Sequence, residues 1–382
     1  MRELVFCTGM ALEPGFVNTD KTLLVLNGAP FPVVGVNCYF LGWCGDAARE
    51  ATLQAIMPTG VNVIRSMAFL NTVERPASGP TFQYSSNGNI VFNDGPDGLG
   101  RLDSLIHSAE QYGYRLILPL VNYWDDLGGM RTYLEWLFPG QNLPTEEFYR
   151  RPEARAVFKN WAAFVLNRHN SITGEVYRDS PAILAWELAN EPRCPIPGGR
   201  ELLLDWTRDI SQFLKTQDPN HLVALGDEGF LRHNDPSNHL YTGEYGVDFE
   251  ATLGIPEIDF GSYHFYPASK QMNVPLEFAR TWIDDHVAAG QRANKPALLE
   301  EYGIRIGEYG VTSGLERDGW YARWQQAVYD SGGAGDLLWM IGSREPEVAG
   351  NHDDYTVYSA GEIPSVAAHA SAMWNRGKAS GI

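Results

Sequence analysis

The 382-residue sequence predicts an α/β fold, a single (β/α)8 TIM barrel with extended βα loops spanning residues 1–382. Three observations carry this. Eight short β-branched or aliphatic runs alternate with longer amphipathic stretches, the pattern of a parallel sheet with helical crossovers. The runs ILAW, LILPLV and LLWMI are apolar without alternation, as strands covered on both faces must be. The first run leads into GVNCYFLGWCG, which lacks the G-x-G-x-x-G turn that often marks an open doubly wound sheet.

The candidate strands are Val33–Asn37, Val61–Arg65, Arg115–Val121, Ile183–Asn190, His221–Leu225, Ile258–His264, Pro296–Glu301 and Asp336–Ile341. Helical periodicity falls at Asp46–Pro58, Asp97–Tyr112, Pro152–Arg168, Arg200–Thr216, Pro275–Ala293, Glu316–Ser331 and Pro364–Asn375. Asp97 is expected to cap the helix bearing the Leu99, Leu102, Leu105 and Ile106 stripe, and Pro152 to open its own helix. After the fifth strand the residues from His233 to Glu250 are polar and show no helical pattern. Inserts rich in Gly, Pro and Ser at Arg75–Asp97, Cys194–Gly199 and Gly342–Asp354 each follow a strand. Such loops gather at the C-terminal face of a barrel, where active sites lie.

With 44% hydrophobic and 12% aromatic residues spread along the chain, disorder and coiled coil are excluded. The 47 acidic residues exceed the 29 basic ones by 18, so phosphate backbones and anionic lipid are repelled. No nucleic-acid or membrane partner is expected, and no run reaches the ~18–20 apolar residues of a membrane span. Glu3 directly after Arg2, with Thr8 and Gly9 interrupting the apolar stretch, makes a poor secretory signal. A cytoplasmic location is expected, or secretion if a leader peptide has been removed. Cys7, Cys38, Cys44 and Cys194 lack zinc-site spacing and are expected as free thiols, Cys38 with Cys44 being the only close pair. His233 and His239 lack HExxH spacing, and no G-x-S-x-G elbow occurs. Neither a metal nor a cofactor is expected.

Polar residues that finish an apolar strand point into the barrel mouth. The fourth strand ends in AILAWELANEP and delivers Asn190 and Glu191, and the seventh ends in PALLEEYG with Glu300 and Glu301. By strand alternation one of these last two faces the mouth and the other the helical layer. Two carboxylates opposed across the mouth suit glycosidic bond cleavage, which asks one to donate a proton and the other to attack. Arg65 ends the second strand, and His264 and Tyr266 end the sixth. A guanidinium and a phenol beside one glutamate would hold it ionised; that partner is assigned to Glu301, leaving Glu191 as acid/base. Glu187, deeper on the fourth strand, reads as a buried partner for Arg65 or another cation. Pyranose C–H faces pack on aromatic rings, and Trp43, Tyr123, Trp124, Trp136 and Trp339 all follow or end strands.

Taken in order, PGFVNTDKTLLVLNGAPFPVVGVNCYFLGW, NVIRSMAFL, LVNYWDDLGG, WELANEPRC, YHFYP, LLEEYG and LLWMIG resemble glycoside hydrolase family 5, and its mannan-active branch most. The resemblance implies a retaining double displacement with Glu191 as acid/base and Glu301 as nucleophile, the E-[aromatic]-G spacing selecting Glu301 over Glu300. It also implies substrate or nucleophile contacts for Arg65, Asn190, His264, Tyr266 and Trp339; Trp43 and Trp124 are expected as further sugar-binding rings from their placement after strands. Asn122 stands where many members of the family carry His, as in the mannan-active ones.

The partner expected is therefore a β-mannoside oligosaccharide or polysaccharide. An exo-acting β-mannosidase is preferred, because an intracellular enzyme meets imported oligosaccharides more readily than insoluble mannan. The alternatives are an endo-β-1,4-mannanase, a β-glucan-active relative, and a carbohydrate-binding barrel without catalysis.

Overall fold

The computed structural model describes residues 12–233, 237–350 and 352–379. An antiparallel meander of β1 (Val17–Asp20), β2 (Leu23–Leu26) and β3 (Ala29–Pro30) precedes the barrel. The barrel begins with β4 (Val33–Asn37) and β5 (Val63–Arg65). It is then interrupted by a small sheet of β6 (Asn71–Glu74), β7 (Gln83–Ser86) and β8 (Asn89–Phe92). It resumes with β9 (Arg115–Pro119), β10 (Ile183–Glu187), β11 (Leu222–Ala224), β12 (Gly261–Phe265), β13 (Ala297–Tyr302) and β14 (Gly335–Leu338).

These eight barrel strands pair in parallel in the order β11-β10-β9-β5-β4-β14-β13-β12. No ladder joins β11 to β12. Isolated bonds close the wall instead: Val223 N–H donates to Asp259 Oδ2 (2.7 Å), Asp259 N–H to Val223 O (2.8 Å) and His264 N–H to Glu228 O (3.2 Å). All eight expected strands are present, several trimmed at their ends. The barrel interior away from the active face is filled by Val33, Val63, Ile117, Ala185, Leu298 and Leu337, with Val17, Leu24 and Leu26 of the meander packed onto that cluster. Alternate residues such as Val34, Ile64, Leu116 and Trp186 face outward into the helical layer.

The helices differ from expectation in three places. The second long helix starts at Leu99, after Gly98, and Asp97 does not cap it; Asp97 accepts from Arg75 Nη2 (3.0 Å) and Asn93 Nδ2 (3.3 Å). The region after β11 does contain a helix, but only Phe249–Leu253, capped by Asp248. Met130–Leu137 and Glu147–Arg150 are helical without having been foreseen, because each is too short to show a repeating stripe. Cys38, Cys44 and Cys194 are buried free thiols, and Cys7 lies outside the described residues. Among the described residues no helix is long and apolar enough to cross a membrane.

Candidate active site

A cleft of about 880 Å³ opens at the C-terminal ends of the strands, lined by residues from the loops after seven of the barrel strands and by Glu301 of β13 itself. The chain leaves β10 still bonded to its neighbours: Leu188 and Ala189 N–H donate to Ala224 O (3.0 Å) and Leu225 O (3.1 Å). At Glu191 it turns with φ +50, a left-handed backbone that costs a non-glycine residue roughly 1–2 kcal/mol and that clusters at functional sites. Glu191 N–H is anchored on Gly226 O (2.8 Å), and its carboxylate projects into the cleft. There Oε1 shares a hydrogen bond with His264 Nδ1 (2.8 Å), while Oε2 accepts from the Trp124 indole (2.6 Å).

Glu301 comes from the opposite wall. Arg65 Nη1 donates to its Oε1 (2.5 Å) and Tyr266 O–H to its Oε2 (2.6 Å). One carboxylate oxygen of Glu191, one of Glu301 and a ring nitrogen of His264 all lie within 4.8 Å of one another. Their oxygens are engaged by an indole, a phenol and a guanidinium, and Arg65 already supplies the positive charge. That donor set does not suit a metal ion.

Strand alternation fails at Glu300. The register pairs Tyr263 with Leu299 but His264 with Glu301, so Glu300 is the extra residue of a bulge. It does not face the helical layer. It lies under the site, 3.5 Å from Arg65 Nε and 3.7 Å from His264 Nε2, fully buried. Glu187 is the buried partner of Arg65, accepting from Nε at 2.9 Å. Arg65 thus holds three carboxylates, and its Nη2 also donates to Asn190 Oδ1 (2.8 Å). Asn190 passes the chain on to Asn122 Oδ1 (3.0 Å).

The electrostatics tie these groups together. Burial opposes the charge on Glu191, but His264, Arg193 and the Trp124 indole outweigh it and hold the carboxyl down at about 2. Burial pushes Glu301 up; His264 and Arg65 pull against it, and the Glu191 charge adds to the push. Arg65 and Tyr266 do embrace Glu301 as expected, yet they do not by themselves hold it low. Burial would lower His264, but the surrounding Glu301, Glu191 and Glu300 carboxylates raise it well above the usual imidazole range. These carboxylates favour the protonated form of His264, one hydrogen bond from Glu191.

Of the expected rings, Trp339 lines the cleft, stacks on Tyr39 (centroids 5.9 Å, 11°) and donates to Asp353 Oδ2 (2.8 Å). Trp43 and Trp124 line it too. Trp136 does not: its indole donates to the Thr72 and Val73 carbonyls. Arg193, Glu228 and Tyr355 line the cleft without having been singled out. Arg193 lies over Trp124 (4.9 Å) and is clamped by the Glu228 carboxylate. Asp227 and Glu228 are the first polar residues after the fifth barrel strand, so the strand-end rule extended there would have found Glu228.

A family model described as "GH family 5 beta-mannosidase-like" matches residues 14–339. The chain belongs to glycoside hydrolase family 5. This family 5 hydrolase is 37% identical over 345 residues to mannan endo-1,4-beta-mannosidase A of Podospora anserina, covering 88% of this chain and 85% of that protein. It is 34% identical to the probable mannan endo-1,4-beta-mannosidase A-1 of Aspergillus terreus, covering 91% and 84%. Its structure matches the endo-1,4-beta-mannanase of Rhizomucor miehei with a TM-score of 0.84 at 33% identity, over 94% of this chain and 100% of that one. The family 5 mannosidase of the same organism shares the fold at 21% identity and a TM-score of 0.74.

Proposed function

We propose that this family 5 hydrolase is a retaining endo-β-1,4-mannanase that cleaves within β-mannan chains. The observation that carries the reading is a carboxylate pair within 4.8 Å, set in a cleft lined by the rings of Tyr39, Trp43, Trp124 and Trp339. Retaining glycosidases keep their carboxyl groups ~5–5.5 Å apart, whereas inverting ones need ~6.5–9.5 Å for an intervening water.

In the first step Glu301 attacks the anomeric carbon as Glu191 protonates the departing glycosidic oxygen. The proton reaches Glu191 Oε1 from His264 Nδ1 along their 2.8 Å bond without heavy-atom movement. In the second step Glu191 takes a proton from water, which attacks the same carbon and frees Glu301. Arg65 and the Tyr266 hydroxyl orient the nucleophile, and the phenol stays protonated because burial and Glu301 push it far up.

The exo preference drawn from the sequence gives way here. It rested on location, whereas the relatives above at 33–37% identity, those of Podospora anserina and Aspergillus terreus and the Rhizomucor miehei mannanase, are named as endo-acting. The cleft supports the same choice, since Tyr39, Trp43 and Trp339 line it beside the Glu301 strand and Trp124 and Arg193 beside Glu191. At about 880 Å³ it sits at the large end of the ~300–1,000 Å³ typical of ligand sites, more than one sugar ring needs. Digestion of mannohexaose tests the reading. Mannobiose, mannotriose and mannotetraose should appear together from the first time points, and mannose released alone would overturn it.

A further inference from the structure

Beneath the catalytic groups lies a second layer of carboxyls that the reaction does not touch. Glu187 and Glu300 are both fully buried; they share one arginine, Arg65, which Glu301 also uses, and only Glu300 also faces His264 Nε2, at 3.7 Å. Three polar atoms of the two side chains make no hydrogen bond: Glu187 Oε1 and both oxygens of Glu300, whose ionic neighbours stand at 3.5 Å and beyond. His264 Nε2, facing Glu300 at 3.7 Å, is equally unpartnered. Ionised carboxylates only accept hydrogen bonds, so two of them meeting at the same Arg65 Nε, at 2.9 and 3.5 Å, in a dry interior are a costly arrangement. One proton between them turns two repelling acceptors into a donor and an acceptor.

From this geometry we propose that Glu187 and Glu300 are a positioning pair that shares one proton, carried by Glu187. The anion on Glu300 then sets how tightly the His264–Glu191 couple above it holds its own proton. The assignment rests on the reading of Glu191 as acid/base.

The neighbours on every side agree with this distribution. From β5, Arg65 Nε reaches both carboxyls. From β12, His264 presents its Nε2 to Glu300 and its Nδ1 to Glu191, linking the two layers. From β4, the Asn37 carboxamide donates to the backbone carbonyl of Glu300 (2.8 Å). After β11, Asp227 is fully buried with Oδ2 unpartnered, and burial first and Glu300 among other causes push it to about 8, so it carries its own proton at neutral pH. The ionisable residues of the remaining strands look elsewhere: Asp336 of β14 is held by Tyr302 and His369, and Arg115 of β9 by the Pro181 and Glu13 carbonyls. Burial and Glu300 drive Glu187 well above the carboxylate range, while Arg65, Glu187 and His264 overcome burial to hold Glu300 at about 2. The bulge in β13 is the device that brings Glu300 inward, since regular alternation would turn it away.

The two amide substitutions separate the roles. In Glu300→Gln the negative charge moves to Glu187, away from His264 Nε2, and the His264–Glu191 couple loses its proton at lower pH. The alkaline limb of kcat/KM against pH should fall by about one pH unit. In Glu187→Gln the amide N–H replaces the shared proton, the anion stays on Glu300, and the alkaline limb should stay in place. An unmoved limb in Glu300→Gln, or an equal fall in both variants, overturns the proposal. Infrared spectra of the wild-type protein provide a measurement that needs no variant to fold. A protonated-carboxyl stretch should persist at about pH 9, above the range of Asp227, and it should be missing from Glu187→Gln. Its absence from the wild type overturns the proposal. Glu191→Gln and Glu301→Gln serve as the control: substantial turnover in either defeats the catalytic reading itself, whereas two inactive controls beside an unshifted Glu300→Gln defeat only the shared proton.

Discussion

Arg65 is the residue on which most of the site converges. It is buried, it bonds Glu187 and Glu301 directly, it stands 3.5 Å from Glu300, and its Nη2 fixes Asn190. Removing one partner of a buried ionic cluster strands the rest, at roughly 3–5 kcal/mol. Arg65→Met should therefore lower the stability measured by urea unfolding by about that amount and abolish turnover. Arg65→Lys keeps the charge but cannot reproduce the fork, and should retain more stability than activity. Glu301→Ala is the cleaner probe of chemistry, because it removes the oxygen proposed to attack and one member of an overcharged cluster together. Turnover of mannan should vanish with little loss of melting temperature, and wild-type hydrolysis would remove Glu301 from the nucleophile's role. At this scale much was legible in the sequence: polar residues closing apolar strands point to Arg65, Glu191, His264, Tyr266 and the pair Glu300 and Glu301, which the fold brings together, and the family resemblance chooses Glu301. Glu300 was misplaced because side-chain alternation presumes an even register, and the bulge depends on contacts with the neighbouring strands.

The β10 exit shows how an element aims a side chain. Glu191 owes its position to a left-handed turn pinned on Gly226, itself at φ +82. A Cβ added to Gly226 would sit 2.0 Å from the Ala189 carbonyl oxygen and 3.0 Å from Glu187 Oε2. Gly226→Ala must therefore push the β10 exit aside, costing more than the ~1 kcal/mol of the backbone conformation alone and lowering kcat by misdirecting Glu191. Gly303 belongs to the same class: a Cβ there would meet Tyr355 Cδ1 at 2.9 Å and the Trp339 carbonyl oxygen at 3.1 Å. The glycine of E-Y-G is thus demanded by close packing of the cleft wall. Long periodic elements were readable from sequence because a stripe repeated over three or four turns overrides local noise. The four-residue strands of the β6–β8 insert and the short helices around residues 130–150 were not, because neither repeats often enough to announce a period.

For the molecule as a whole, the buried carboxyls predict an acid-leaning stability optimum. Burial raises Asp227 to about 8 and Glu228 to about 7, far above the carboxyl range of an unfolded chain near 4. A carboxyl raised in the folded state binds more protons there than in the unfolded state, so folding loses stability as pH climbs from about 4 through those raised values. At ~1.4 kcal/mol per pH unit, Asp227 alone can withdraw a few kcal/mol between pH 4 and pH 8. The excess of 18 acidic over basic residues adds surface repulsion that grows in the same direction. At the acid end Asp103 works the other way, as do Glu191 and Glu300. Burial is outweighed at Asp103 by Arg168, Tyr177 and Ser171, which hold it below its unfolded value, so its contribution is present above about pH 4 and lost as pH falls through the depressed range. Calorimetry across pH 4 to pH 9 should place the highest melting temperature on the acid side of neutrality, falling toward pH 8. Asp227→Asn keeps the size of the side chain without its charge and should flatten that descent, gaining most over wild type at pH 8 and least at pH 5. A variant whose melting curve runs parallel to wild type across the whole range would show that Asp227 is not the group whose proton is lost.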